Sequence, residues 1–299
     1  MYVVTGATGH TGNLIARALL AKGKKVRVIG RDAARLEPLV KQGADPCVGS
    51  LDDAAAMTKA FSGAKAVYAM IPPHLTAKDN RAHQQAVGEA QAKAIAAARV
   101  AFVVNLSSVG AHLPDNTGPI TGLYLQEKRL NALKGSRVLH LRPGFFMENL
   151  FWSVDLIRKM GINGGAIRAD LPIAMIATRD IVAAAAERLA ALDFSGSTVR
   201  ELLGQRDLTM ADATKALGRA IGKPDLAYVQ FPYEDAEKAM LNMGLSASVV
   251  RDFIEMYRAF NDGLIRATEK RTAANTTPTS IEMFAGDFAR LYAAQAQPG

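Results

Sequence analysis

The chain has 299 residues, 49% of them hydrophobic, 21% charged and 6% aromatic, with a formal net charge of +8. This length and apolar share support one large or two modest domains around a sizeable core and exclude a disordered chain, which is polar and poor in aliphatic residues. No apolar run reaches the ~20 residues of a membrane-spanning helix, and one cysteine, Cys47, with five scattered histidines leaves neither an internal disulfide nor a spaced metal motif.

The first element begins at once. Met1–Thr5 reads as a strand with no basic stretch ahead of an apolar one, so a cytoplasmic protein is expected. Further strand-like runs are Lys25–Ile29, Ala44–Val48, Ala66–Ile71, Ala101–Leu106 and Arg137–Leu141. Helix-like stretches lie between them: Thr11–Ala21, Ala33–Gln42, Ala54–Phe61, Arg81–Ala98 and Tyr124–Leu133. Most of the strand runs are near-continuous in apolar residues rather than alternating, as expected when helices cover both faces of a sheet. Strands alternating with helices of this length predict an α/β fold with a parallel, doubly wound sheet, whose ligands bind along the carboxyl edge of the strands.

The second half is less regular. Phe145–Met160, Arg179–Leu192, Met210–Ile221, Asp235–Met243, Val249–Leu264 and Ser280–Ala294 read as helices, and Ser197–Leu203 and Leu226–Phe231 as strands. Gly161–Gly165 reads as a turn or loop. Neither a repeat nor a low-complexity linker interrupts the chain. The expected division is a dinucleotide-binding domain over residues 1–150 and a smaller α+β substrate lobe over 151–299, partly interleaved with the first.

Thr5-Gly6-Ala7-Thr8-Gly9-His10-Thr11-Gly12 follows the first strand and opens the first helix, with glycines spaced three apart. Gly6 allows a tight turn, Gly9 lets the backbone approach a pyrophosphate, and Gly12 lets helix and sheet pack closely. Free amides and the positive helix end then face the phosphates. The second strand ends in Gly30-Arg31-Asp32. Arg31 can fork onto a ribose 2′-phosphate, while Asp32 is placed to cap the helix that follows, so NADP(H) is favoured over NAD(H). Lys22, Lys24, Lys25, Arg27, Arg31, Arg35 and Lys41 crowd the same strand and its flanks without interleaved aromatics, which suits a small phosphorylated ligand better than nucleic acid.

These two motifs, with Asn105-Leu106-Ser107-Ser108 and Leu141-Arg142-Pro143-Gly144-Phe145-Phe146-Met147-Glu148-Asn149, resemble the NmrA-like branch of the atypical short-chain dehydrogenase/reductases. Thr178-Arg179-Asp180-Ile181 and the helix start at Leu208-Thr209-Met210 extend the likeness over most of the chain. The resemblance implies that Gly6, Thr8, Gly9, His10, Thr11 and Gly12 line the pyrophosphate and Arg31 the 2′-phosphate. It implies further that Met70, Ile71, Pro72 and Ser107 run along the cofactor, and that Phe145, Phe146 and Asn149 border the substrate. The family's acid after the third strand is replaced here by Ser50 after Gly49, with Asp52 and Asp53 beyond.

Two readings of the helix around residue 124 stay open. Tyr124 and Lys128 have the four-residue spacing of a Tyr-x-x-x-Lys dyad, with Ser107 or Ser108 to complete a proton-transfer constellation. The resemblance instead sets Glu127 in a family position relative to Arg142, which puts the expected lysine at Leu123 and turns Lys128 outward. Asp52 with Asp53, and Glu234 with Asp235, sit at predicted helix starts, where capping is the better reading. His74 and His83 are placed to border the cofactor, and Gly88 to bring helices close. The expected function is an NADPH-dependent reductase acting on a small conjugated acceptor, a quinone or azo compound. The alternative is a catalytically silent NADP(H) sensor acting through a regulatory protein partner.

Overall fold

A computed structural model describes residues 1–294; the last residues of the expected substrate lobe, 295–299, lie outside the described residues. The first half lays down β1 (Tyr2–Val4), α1 (His10–Ala21), β2 (Val26–Gly30), α2 (Ala33–Val40), β3 (Asp45–Val48), α3 (Ala54–Phe61), β4 (Ala66–Ala69), α4 (Asn80–Ala97), β5 (Phe102–Leu106), α5 (Ile120–Asn131) and β6 (Arg137–Pro143). The second half adds β7 (Phe145–Phe146), a 3-10 turn (Met147–Ser153), α6 (Val154–Met160), β8 (Asn163–Gly165), β9 (Ile173–Ile176), α7 (Thr178–Ala191), β10 (Ser197–Leu202) and β11 (Asp207–Leu208). It closes with α8 (Met210–Ala220), β12 (Tyr228–Gln230), α9 (Tyr233–Asn242), α10 (Ala247–Asn261) and α11 (Ile281–Ala294).

Seven strands form one parallel sheet in the order β10-β6-β5-β4-β1-β2-β3. The order reverses at β1, and that reversal opens a crevice at the carboxyl edge. Successive residues of each strand go to opposite faces. Tyr2, Val4, Val28, Tyr68, Val104 and Leu139 join one core with α1 and α7. Val3, Ile29, Val67, Val103 and Val138 join the other with α3, α4 and Leu130 of α5. Burial on both faces is why these strands read as continuous apolar runs. β10 comes from the second half of the chain, pairs with β6 along six residues, and brings α7 against the same face as α1.

Helix starts follow the expected chemistry in the first half. Asp32 accepts from the Ala34 amide at 2.9 Å, and Asp53 from those of Ala55 and Ala56 at 2.9 and 3.0 Å. Glu234 and Asp235 lie in the first turn of α9 without a cap bond, where they face the positive helix end. At Gly88 of α4 a Cβ would meet Oε1 of Gln126, so the glycine does bring α4 and α5 close.

Two segments differ from expectation. Phe145–Met160 is not one helix: Phe145-Phe146 pairs with Met175-Ile176 as β7 beside β9, because glycine at 144 lets the backbone run against the Ala174 carbonyl. Residues 163–165 are not a loop but strand β8, which pairs with β12. The Phe231 ring packs 2.5 Å from where a Gly164 Cβ would lie, so the missing side chain makes the pairing possible. Both pairings are long-range and override local propensity. In addition, α5 starts at Ile120, four residues ahead of the sequence expectation.

Candidate active site

The glycine loop, Met70–Pro72 and Ser107–Val109 follow β1, β4 and β5, three adjacent parallel strands, and therefore share one edge of the sheet. Gly6 adopts φ +63, and a Cβ there would lie 2.8 Å from Sδ of Met70. A Cβ at Gly12 would run into the carbonyl oxygens of Gly6 and Thr5. Both positions need glycine, one for its backbone conformation and both for space. α1 starts at Gly9 with no side-chain cap and no acid in its first turn, so its leading amides and positive end are left for a ligand. Gly9 and His10 are exposed at that mouth, whereas Thr11 and Gly12 are buried.

The basic cluster resolves into distinct tasks. Arg27 pairs with Asp45 at 2.7 Å, Lys41 with Glu37 at 2.8 Å, and Lys24 lies over the Tyr2 ring. Arg31 is exposed beside a pocket of about 100 Å³ that Thr8, Gly30, Ser50, Pro72, His74 and His83 also line. Arg35, one turn into α2, donates to the Thr8 carbonyl at 3.1 Å. Neither arginine has an ion-pair partner among the described residues. The two histidines stand edge to face at 5.1 Å. Burial lowers the His83 pKa against the Pro72 carbonyl that it bonds. His74 and His83 thus sit at the Arg31 end of the edge, away from β5 and β6.

At the end of β5, Ser107 is buried and its hydroxyl donates to Oε1 of Glu127 at 2.5 Å. Arg142 holds the same carboxylate by two bonds, at 2.9 and 2.6 Å. This bidentate, charge-assisted clamp ties α5 to the ends of β5 and β6. It also fixes the rotation of α5. With Glu127 facing inward, Leu123 points into the cores, Tyr124 is half-buried and Lys128 is exposed. The structure brings Ser107 to Glu127, and does not bring Lys128 to the sheet edge.

Beyond the clamp lies a cleft of about 470 Å³. Ser108, Phe145, Phe146 and Asn149 line it, joined by Met256, Phe260, Ile265 and Arg266 from later in the chain. Its outer wall is a strap over residues 264–277, laid across the carboxyl end of β10. The fixing point is Glu201, fully buried, which accepts from the amides of Thr268 and Glu269 at 3.0 Å and from Oγ1 of Thr268 at 2.8 Å. The Leu203 amide bonds Asn275 at 2.8 Å and the Thr277 amide bonds Gly204 at 3.2 Å. Sequence reading placed Arg35 in the basic cluster without a task of its own, and missed Glu201 and the strap. Glu201 follows Arg200 in a strand that opens on Ser197 and Thr198, so neither it nor the strap carried a local signal.

Among the described residues, no group of three or more His, Cys, Asp or Glu side chains is placed to hold a metal ion, and no helix is long and apolar enough to cross a membrane. The chain is 28% identical over 258 residues to an NAD(P)H azoreductase of Xenophilus azovorans, covering 86% of each. Its fold matches an NADPH-dependent quinone oxidoreductase of Escherichia coli solved with NADPH, at TM-score 0.80, 23% identity, and 96% and 99% coverage of this chain and that one. It also matches a triphenylmethane reductase of Citrobacter sp. solved with NADP(H), at TM-score 0.78, 19% identity, and 97% and 100% coverage. The model of the NmrA-like family matches residues 2–285. The chain therefore belongs to the NmrA-like family.

Proposed function

We propose that this protein is an NADPH-dependent reductase of small conjugated acceptors such as quinones or azo compounds. The observation that carries the reading is the single sheet edge that joins an uncapped glycine-loop helix, flanked by Arg31 and Arg35, to a largely apolar cleft. The residues suit the cofactor: glycine at 6 and 12 lets the turn after β1 close tightly against Met70 and α1, and Arg31 and Arg35, without ion-pair partners beside the end of β2, supply forked donors of the kind a 2′-phosphate takes. The printed activities of the azoreductase, the quinone oxidoreductase and the dye reductase support the same class.

In this reading Gly6, Thr8, Gly9, His10, Thr11 and Gly12 hold the pyrophosphate, and Met70, Ile71 and Pro72 guide the cofactor toward Ser107. When bound, reduced nicotinamide supplies a hydride, which together with one proton from water turns a quinone into a hydroquinone. Phe145 and Phe146 give an acceptor ring an apolar wall and exclude water from it. Ser107 acts as a positioning residue through the Glu127–Arg142 clamp. Of the Tyr124–Lys128 pair, Lys128 is turned outward, so Tyr124 alone is proposed as the proton donor. For a Tyr124→Phe variant a fall in kcat is expected with a quinone, and unchanged turnover removes Tyr124 from the reaction.

One observation favours the second reading, a silent NADP(H) sensor with a protein partner: the Ser107 hydroxyl is taken up by Glu127, and Lys128 faces outward. Steady NADPH consumption with a panel of quinones and azo dyes supports the reductase. Tight NADPH binding without turnover on any acceptor supports the sensor.

A further inference from the structure

Two cations on the lining of the cleft have no ion-pair partner among the described residues. Arg266 and Lys270 both line the cleft and are exposed. The third lining cation is engaged: Arg271 pairs with Asp207 and donates to the Leu203 and Gly204 carbonyls at 3.0 and 2.7 Å. The remaining lining acid, Glu269, accepts from Nδ2 of Asn275 at 3.3 Å. Arg266 and Lys270 stand on either side of Thr268, the residue that buried Glu201 grips through both its amide and its hydroxyl. Their backbone is therefore fixed by a buried anchor, while their charges are left unneutralised. The rest of the lining is largely apolar, with Phe145, Phe146, Met256 and Phe260 its largest apolar groups.

A largely apolar cleft whose lining carries two cations without ion-pair partners is complementary to a flat ring system that bears an acid. We propose that the acceptor of this enzyme is an anionic aromatic compound, its rings between the phenylalanine and methionine walls and its carboxylate or sulfonate at Arg266 and Lys270. The proposal deepens the reductase reading and rests on it for the reaction, but the binding of the anion stands apart from turnover. For an azo acceptor of this class, each two-electron step takes one hydride from NADPH and one proton from water. Two NADPH and two protons convert Ar–N=N–Ar′ into ArNH₂ and Ar′NH₂, leaving two NADP⁺ and an unchanged acid group.

The test uses 4-(phenylazo)benzoate and its methyl ester as matched probes. Binding of each is measured by equilibrium dialysis on the full chain with NADP⁺ present, for the wild type and for Arg266→Gln, Lys270→Gln and the double variant. The wild type is expected to bind the acid about tenfold more tightly than the ester, equivalent to about 1.4 kcal/mol. Each single variant loses part of that preference and the double variant all of it, while ester binding, NADPH affinity and melting temperature stay as they were. Raising the salt erodes the preference in the wild type only. Equal binding of acid and ester, a preference that survives in the double variant, or a matching loss of NADPH affinity overturns the proposal. NADPH consumption with the same dyes is read separately. An intact charge preference without turnover fails the reductase reading and upholds the anion site, whereas equal turnover of both dyes with no binding preference does the reverse.

Discussion

The two ends of the site are built by opposite means. The cofactor end is local: Thr5 to Gly12 is one β–turn–α unit, its proposed contacts are backbone amides, and it needs glycines at 6 and 12 because a Cβ there would strike Met70 or the turn's own carbonyls. The proposed acceptor end is assembled from afar, with β7, the 3-10 turn, β9 and α10 each lending one or two side chains and the strap several. Its geometry depends on hydrogen bonds between segments some 70 residues apart, chiefly from Thr268 and Glu269 to the buried Glu201 carboxylate. A backbone site is tuned by space alone, while a strapped site can change ligands by changing the strap.

The sharpest way to break this contrast is at Gly12. Placing a Cβ against two carbonyl oxygens, Gly12→Ala should weaken NADPH at least a hundredfold, about 2.7 kcal/mol or more by titration, and lower the melting temperature. Normal NADPH affinity in that variant removes the backbone cradle. Next in size, Glu201→Ala leaves three part-buried donors without their acceptor, at roughly 2 kcal/mol of stability. The acceptor KM should then rise with NADPH affinity unchanged, and the amides of Thr268 and Glu269 should exchange faster with deuterated water. Equal losses for both ligands would show that the strap is not confined to the acceptor end.

A smaller effect is expected at Arg31. Arg31→Ala should cost roughly tenfold in NADPH affinity and leave NADH binding alone, and equal losses for both refute a 2′-phosphate role. Least, and confined to the sheet half, is an acid-dependent effect. His140 is buried between Asn105 and Asn131, with ring bonds of 3.1 and 2.9 Å, and burial, aided by Arg142 against Glu127, pushes its pKa down to about 4. An unfolded chain takes up this proton near 6.5 and the folded chain only near 4, so stability is full above 6.5 and falls as the pH drops between the two, by about 3 kcal/mol at most. A His140→Gln variant should show a flatter acid limb of melting temperature against pH, and an unchanged limb assigns the acid sensitivity elsewhere.

How much of this was legible in the sequence follows the same divide. The six strands from Tyr2 to Pro143, the caps at Asp32 and Asp53, and the glycine loop were readable because each is set by neighbours within a few residues. The outward turn of Lys128 was one of two open readings, and the Glu127–Arg142 clamp shows which rotation α5 adopts. β7 and β8 were not readable. Phe145-Phe146 looks helical until Ala174 approaches Gly144, and Asn163-Gly164-Gly165 looks like a loop until β12 arrives beside it.

The sequence by itself determined the parallel sheet, the uncapped helix at its edge and the arginine after β2, since apolar runs, glycine spacing and a strand's last residues act over short range. Only the tertiary structure decided what closes the cleft and with what charge. Glu201, Arg266 and Lys270 carry no local pattern, and the two cations reach the cleft because the buried Glu201 carboxylate in β10 must find donors, which the returning chain supplies.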